Sequence, residues 1–572
     1  MAGSVRKPRD DKDSVRQRIA NRWSNVDYNK LSNDVVKISE KPQEMPTEVI
    51  EIDSESETSI SDNESDTDTD TYDSIPRPII DSKLHDQKYC FKLVRSEAVY
   101  DKPITYDNMT SEQKNYFITM KDIFYDPNLR QVVLFSYQFE MDFLLKCFHP
   151  NIERITIVGQ PECIRPLDPE RSSIKLQQFE KKLSYIPIKM PPYTSHHTKM
   201  ILNFYRDSLR IFLPSNNFTE AEVSYPQQVC WCSPKFVYSL NPKWVNSYSK
   251  FGSILKDYLN QYNQYETFFQ KLIEKLEKYE FLYNEDNKET EDNVKFIYSV
   301  PAKSNNNCGF KNLVDSVKMT EDKYFHAKYG RQKIHYLFQT SSIGISMIGN
   351  DSLLLGLIPE NNSIEGTHLN ILYPTLKEVC DSPTSVLSGG WFHFNYYSKN
   401  EPYSTLRAKK TFVKQDPACV SKQRLSTPSH SKFYMKWASN DVTKNDEGSI
   451  PGEGVDWCVY TSANLSKAAW GLKGVKPKNY EFGVFFEGLV QVSSFVDLIY
   501  KNQNGSGTRL GTTTKQTNVT PTRDKHADSI KANQILVPFP RSFVQYSPDD
   551  KPSDVKLLDR ISNMALSMDN RA

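Results

Sequence analysis

Two histidine–lysine pairs recur in this chain at the same spacing, His197 with Lys199 in SHHTK and His430 with Lys432 in SHSK. Each is followed by an apolar stretch, a polar connection and a second apolar run that closes on an asparagine, Asn217 in SNN and Asn464 in SANLS. A phosphate ester calls for this set: a nucleophile, a proton donor for the leaving oxygen, and positive groups and N–H donors around the non-bridging oxygens. Imidazole serves as nucleophile or proton donor, the lysines neutralise charge on the phosphoryl oxygens, and the asparagines donate N–H without the repulsion of a carboxylate. One such histidine alone is better read as a hydrogen-bonded structural residue. Repetition of the whole pattern points to catalysis and to an internal duplication. No metal or other cofactor is expected, because no Asp/His/Glu cluster has the spacing of a two-metal nuclease. The spacing leaves open which histidine attacks and which transfers the proton.

Hairpins must position these groups. In a strand, residues two apart project to one face, so each His and Lys point the same way. In the first half, the RDS turn then folds a strand with Ile211, Leu213, Ser215 and Asn217 on one face back towards His197. The second half carries a longer Gly/Pro/Asp-rich connection, NDEGSIPGEGVD, which a surface loop accommodates.

The rest of the chain supplies two such units. At 572 residues it exceeds a single core. Residues 1–85 are expected to form a disordered acidic tail, since Glu44–Asp73 holds twelve acidic residues and no Lys or Arg. Residues 86–290 and 291–572 are the expected domains, divided at the acidic run 284–293. QVVLFSYQF (131–139) reads as a strand feeding a helix, ITIVGQP (155–161) as a strand, 244–281 as one or two amphipathic helices, and VKFIYSVP as the strand that opens the second domain. The Gly/Thr-rich stretch 502–529 reads as a mobile surface insertion. Nine cysteines without a CxxC pair suit a reduced compartment, and Cys230-Trp-Cys232 fits alternation in a strand better than a metal site. No apolar run is long enough to span a bilayer, so no membrane partner is expected. The net charge of +1 hides a basic remainder behind the acidic tail, which suits a polyanionic partner.

At HHTKM (196–200), SNN (215–217) and TSANLSKAAWG (461–471), with MPPY (190–193), QQVCW (227–231) and NYEFGVFF (479–486), the chain resembles the tyrosyl-DNA phosphodiesterase family, as a fungal-like member. This is a branch of the phospholipase D superfamily marked by Asn where most members have Asp. The resemblance runs from about Phe91 to Pro552. It implies an α/β fold of two similar phospholipase D-type domains, each a mixed β-sheet flanked by helices, related by a pseudo-twofold axis.

The resemblance also implies roles. His197 is the nucleophile that forms a phosphohistidine, and His430 the general acid and then base. Gln228 and Glu481 orient the imidazoles, Tyr193 stacks on a DNA base, and Ser342 contacts the DNA backbone. A core position for Tyr193 and a plain sheet-surface role for Gln228 are the competing readings. Ile345 stands where a second serine is expected, and Asp550-Lys551-Pro552-Ser553 lacks an expected tryptophan. The implied substrate is DNA, single-stranded or at a duplex end, whose 3′-phosphate is joined to tyrosine or a peptide of a stalled type I topoisomerase. A monomer in the nucleus is the corresponding expectation. Two alternatives stand beside it: a lipid-acting phospholipase D relative, and an inactive DNA-binding scaffold.

Overall fold

The computed structural model describes residues 78–558 except 87, 96–108, 169–172, 240–249, 263, 282–293, 302–307, 325–332, 345–346, 348–356, 358–366, 395–402, 405–409, 421–426, 440–447, 453, 473 and 501–532. The expectations for residues 1–77, for the acidic run 284–293 and for the insertion 502–529 lie outside the described residues. At 78–85 the structure corrects the expected tail. Ile80 is fully buried there, and Asp81 accepts hydrogen bonds from Nε (2.9 Å) and Nη2 (2.8 Å) of Arg210. A guanidinium with no solvent exposure requires a carboxylate partner, and Asp81, which lies beyond the acidic run, provides it together with Asp86.

Two sheets form the centre. The first contains β1 (Cys90–Val94), β2 (Phe117–Ile118), β3 (Leu129–Phe135), β5 (Arg154–Gly159), β7 (Leu183–Pro187), β8 (Met200–Tyr205), β9 (Ser208–Pro214), β10 (Gln228–Cys232), β11 (Phe236–Tyr238) and β12 (Tyr279–Glu280). A separate small pair joins β4 (Phe139–Glu140) to β6 (Ile164–Arg165). The second large sheet contains β13 (Val294–Ser299), β14 (Lys333–Gln339), β15 (Thr367–Leu372), β16 (Phe412–Gln415), β17 (Phe433–Ser439), β18 (Val455–Thr461), β19 (Glu481–Ser494), β20 (Asn533–Val537) and β21 (Phe543–Gln545).

Their main paths correspond strand for strand. β1-β10-β9-β8-β3-β5-β7 in the first sheet matches β13-β19-β18-β17-β14-β15-β16 in the second. The match extends to direction: the first five strands of each path are antiparallel neighbours, and the last two join in parallel. The duplicated motif is therefore carried by a duplicated architecture.

Burial explains why the central strands are apolar on both faces. Along β8, Met200, Leu202 and Phe204 enter one core, whereas Ile201 and Tyr205 enter another. β17 behaves alike, with Phe433, Met435 and Trp437 on one side and Tyr434 on the other. The first of these cores is shared by the two sheets. There Phe91 packs edge-on against Tyr460 (5.4 Å), and Phe251 against Phe296 (4.2 Å). Phe251 belongs to the first of two helices, Lys250–Leu259 and Glu266–Leu276, which realise the amphipathic pattern expected between 244 and 281. Aromatic contacts of this kind add to the free energy of apolar burial and fix one sheet against the other.

Candidate active site

Each histidine motif enters the site just before its strand begins. β8 starts at Met200 and β9 ends at Pro214, so His197, Lys199 and Asn217 sit in the extended segments beyond the ladder, slightly outside the hairpin the sequence suggests. The register, with Ile201 opposite Phe212, still returns both segments to the same end. In the second half Phe433 pairs with Tyr460, and Thr461 N donates to Lys432 O (3.2 Å).

Both motif segments are pinned by the other half of the chain. His197 N donates to Tyr480 O (2.9 Å), and Tyr480 N donates to Ser195 O (3.0 Å). Equivalently, His430 N donates to Gln227 O (2.9 Å), and Gln227 N donates to Pro428 O (3.1 Å). Parallel bridges His196–Tyr480 and Gln227–Ser429 thus cross between the halves. They bring the two half-sites together.

The imidazoles are oriented by carboxylates that also cross over. His197 Nδ1 lies 2.8 Å from Oε2 of Glu481, which further accepts from Ser462 Oγ (2.6 Å). Asn479 Nδ2 donates to the second Glu481 oxygen (3.1 Å). His430 Nδ1 lies 3.0 Å from Oε1 of Glu222, a residue that sequence reasoning did not single out. Gln228 steadies the acid rather than the ring: its Nε2, 3.5 Å from His430 Nδ1, donates to Glu222 O (3.0 Å), and its Oε1 accepts from Ser215 Oγ (2.6 Å). Gln228 and Glu481 open the equivalent strands β10 and β19, so the duplication placed an amide and an acid at matching points. Glu222 supplies the missing acid from the short helix Glu220–Ser224, capped by Thr219. A carboxylate accepts only, so Nδ1 of His197 donates to Glu481, and the ion-pair contact of His430 Nδ1 with Glu222 favours the same tautomer, which leaves each Nε2 for the substrate.

The asparagines are fixed in the same manner. Asn217 Oδ1 accepts from Ser136 Oγ (2.9 Å), and its Nδ2 donates to Glu222 Oε2 (2.8 Å). Asn464 Oδ1 accepts from Ser341 Oγ (3.0 Å) and Thr340 Oγ1 (3.2 Å), setting which way the amide N–H groups point. Lys199 Nζ donates to His197 O (3.2 Å). Lys432 Nζ is buried without a hydrogen-bond partner among the described residues.

The electrostatics follow from this burial. Burial pushes His430 down, to about 3, and Lys432 adds to the effect. His197 is lowered by burial, with Glu481 opposing. Burial alone would raise the Glu222 carboxyl, but the His430 contact and Lys199 more than reverse this and hold it at about 2. Glu481 is likewise lowered against its burial, first by His197. Burial pushes Lys432 well below the ordinary lysine value, and Lys199 repels it further. The two carboxylates are thus held ionised against their burial by the groups around them, while burial favours the neutral form of both imidazoles.

Of the remaining expected residues, Tyr193 is 76% exposed and adopts φ 62°, which disposes of a core position and leaves its ring open to a ligand. Ser342 is half-buried, forms a bridge with His393, and its carbonyl lies 3.0 Å from Thr340 Oγ1, which shares its one proton between that oxygen and Asn464 Oδ1. Ile345 lies outside the described residues. Asp550 accepts from Lys414 (2.6 Å), and Ser553 is buried. Cys230 and Cys232 lie in β10 with sulfurs 4.0 Å apart, packed in the core of the first sheet.

A family model for tyrosyl-DNA phosphodiesterase matches residues 99–547 of the chain. The chain belongs to the tyrosyl-DNA phosphodiesterase family. It is 36% identical over 492 residues to tyrosyl-DNA phosphodiesterase 1 of Saccharomyces cerevisiae, across 80% of this chain and 82% of the yeast protein. It is 24% identical over 470 residues to a probable tyrosyl-DNA phosphodiesterase of Schizosaccharomyces pombe, across 68% and 82% of the two chains. The crystal structure of yeast tyrosyl-DNA phosphodiesterase superposes with a TM-score of 0.62 at 34% identity, covering 82% of this chain and 99% of that one. Membership of the tyrosyl-DNA phosphodiesterase family makes this chain a phosphodiester hydrolase of DNA repair with the two-sheet fold described above. Among the described residues no helix is long and apolar enough to cross a membrane.

Proposed function

We propose that the chain hydrolyses the 3′-phosphotyrosyl bond between DNA and a stalled type I topoisomerase through a covalent phosphohistidine, leaving a DNA 3′-phosphate. The observation that carries the reading is the pair of carboxylate-held imidazoles, Glu481 on His197 and Glu222 on His430, with a lysine beside each. His197, whose Nδ1–H is held by Glu481, attacks phosphorus through Nε2. As the P–O bond to tyrosine breaks, protonated His430 gives its Nε2 proton to the phenolate oxygen. His430, now neutral, takes a proton from water; that water displaces His197 from phosphorus and releases the 3′-phosphate. Lys199 and Lys432 stabilise the charge on the non-bridging oxygens, joined by N–H groups of Asn217 and Asn464.

Tyr193 stacks on a base near the reacting end, and Ser342 contacts the backbone on the DNA side, which suits a single strand or a frayed duplex end. A topoisomerase-derived peptide is the other half of the substrate. The site is complete within one chain, which supports a monomer, and a chromosomal substrate supports residence in the nucleus. His197→Ala decides the central assignment. It should abolish turnover of a 3′-phosphotyrosyl oligonucleotide, and near-wild-type turnover would remove His197 as nucleophile. Phosphatidylcholine offered to the wild-type protein should not be cleaved; cleavage would favour the lipid-acting alternative.

A further inference from the structure

The residues on either side of His197 enter a buried chain of polar groups that the two chemical steps do not use. His196 Nδ1 lies 3.3 Å from Ser136 O, and its Nε2 lies 2.8 Å from the Tyr262 hydroxyl. The Tyr262 hydroxyl is 2.6 Å from that of Tyr258, which is 2.7 Å from Thr198 Oγ1. One end fixes the direction of every link. A carbonyl only accepts, so His196 Nδ1 donates; in the neutral ring Nε2 then accepts from Tyr262, whose oxygen accepts from Tyr258, whose oxygen accepts from Thr198. Burial supports this order, lowering His196 to about 4 and raising both tyrosine hydroxyls, so each link joins neutral groups at neutral pH.

Tyr262 also bears on the other half of the chain. Its ring stacks on Tyr480, with centroids 4.5 Å apart and planes 15° from parallel. Tyr480 receives the backbone N–H of His197 and precedes Glu481, which orients that imidazole. One side chain therefore grips both segments whose meeting sets the His197–Glu481 contact.

We infer that Tyr262 is a positioning residue for the nucleophile, acting through its hydroxyl on His196 and through its ring on Tyr480. The inference rests on the assignment of His197 as the attacking group. Tyr262 holds the neighbours of His197 and touches neither DNA nor phosphate in this scheme. Its loss should misplace the imidazole and slow the chemical step without weakening substrate binding.

The test compares Tyr262→Phe, Tyr258→Phe, the double variant and His197→Ala on one 3′-phosphotyrosyl oligonucleotide, recording kcat, KM and Tm. Tyr262→Phe keeps the stack and should melt within about 5 °C of wild type. Its kcat should fall about ten-fold with KM unchanged. Tyr258→Phe cuts the same chain one link further on and should lower kcat in the same direction, and the double variant should be no slower than the slower single. Wild-type kcat in Tyr262→Phe overturns the inference. So does a rise in KM matching the loss in kcat, a collapse of Tm, or fully additive losses in the double variant, since each marks ordinary packing. If His197→Ala retains turnover, the nucleophile assignment itself has failed; if it is inactive while Tyr262→Phe is normal, only the positioning role has.

Discussion

Glu222 and His430 meet across the two halves of the chain: Oε1 of the acid lies 3.0 Å from Nδ1 of the imidazole, although Glu222 follows Asn217 in the half that carries His197. The contact holds His430 in the orientation a proton donor needs. Glu222→Gln should lower turnover of a 3′-tyrosyl substrate by roughly 10- to 100-fold. A 3′-nitrophenyl ester, whose leaving group needs little protonation, should lose far less. Equal losses on the two substrates would show that Glu222 does not act through the acid step.

Charge balance makes a prediction about protons. Burial holds His430 low in the empty site, and a bound phosphodiester anion favours its protonated form. Binding of a 3′-phosphotyrosyl oligonucleotide to His197→Ala near pH 7.5 should therefore take up about one proton. Calorimetry in buffers of different ionisation enthalpy measures this directly, and zero uptake would contradict the account. Stability of the empty protein should follow the same logic. His430 and Glu222 both titrate below their ordinary values of 6.5 and 4.5. Their contribution is therefore complete above about pH 6.5 and is lost as the pH falls through about 3 for His430 and about 2 for Glu222, with bound anion offsetting the loss.

Lys432 presents a trade of stability for function. Its Nζ is buried without a hydrogen-bond partner among the described residues, and Lys199 repels its charged form. Lys432→Met fills the same space without the desolvated charge, so Tm should rise by a few degrees, on the order of 1 kcal/mol of added stability. Turnover should fall by at least about 100-fold as phosphoryl stabilisation is lost. A variant that melts lower than wild type would show that Lys432 is already compensated in the empty site.

His430→Asn removes the base that activates water, so a covalent enzyme–DNA adduct should accumulate and persist when a good leaving group drives the first step. Denaturing gel electrophoresis of labelled oligonucleotide reads the adduct. Absence of any adduct would remove the acid/base assignment. Wild-type turnover should also survive EDTA, and strict dependence on Mg²⁺ would contradict a reaction run by these side chains alone.

The sequence carried the duplication clearly because catalysis constrains residue type and spacing at once. His197 with Lys199 and His430 with Lys432 stand out at i, i+2, and the apolar runs that follow become β8 with β9 and β17 with β18. Glu222 was not legible. It lies in EAE on a short helix, where acidic residues ordinarily face water, and only the docking of the second half turns it onto His430. The same holds for Tyr258 and Tyr262, which nothing in the sequence singles out until their hydroxyls are placed against Thr198 and His196 respectively. Contacts between residues far apart in sequence leave no periodic trace. The folded role of Asp81 was hidden for a related reason, since nothing in IIDSKLHD marks Asp81 and Asp86 as the carboxylates that a buried Arg210 will claim.

The exchange of carboxylates between halves has a bearing on how activity emerges during folding. Either sheet can form its own hairpin and present its own histidine, but neither histidine then has its acid. A chain whose second half is still unfolded, or docked in the wrong register, holds two disarmed imidazoles. Reactivity towards DNA therefore switches on only as the last long-range interface closes. A site that acts on DNA is in this way assembled only in the finished fold.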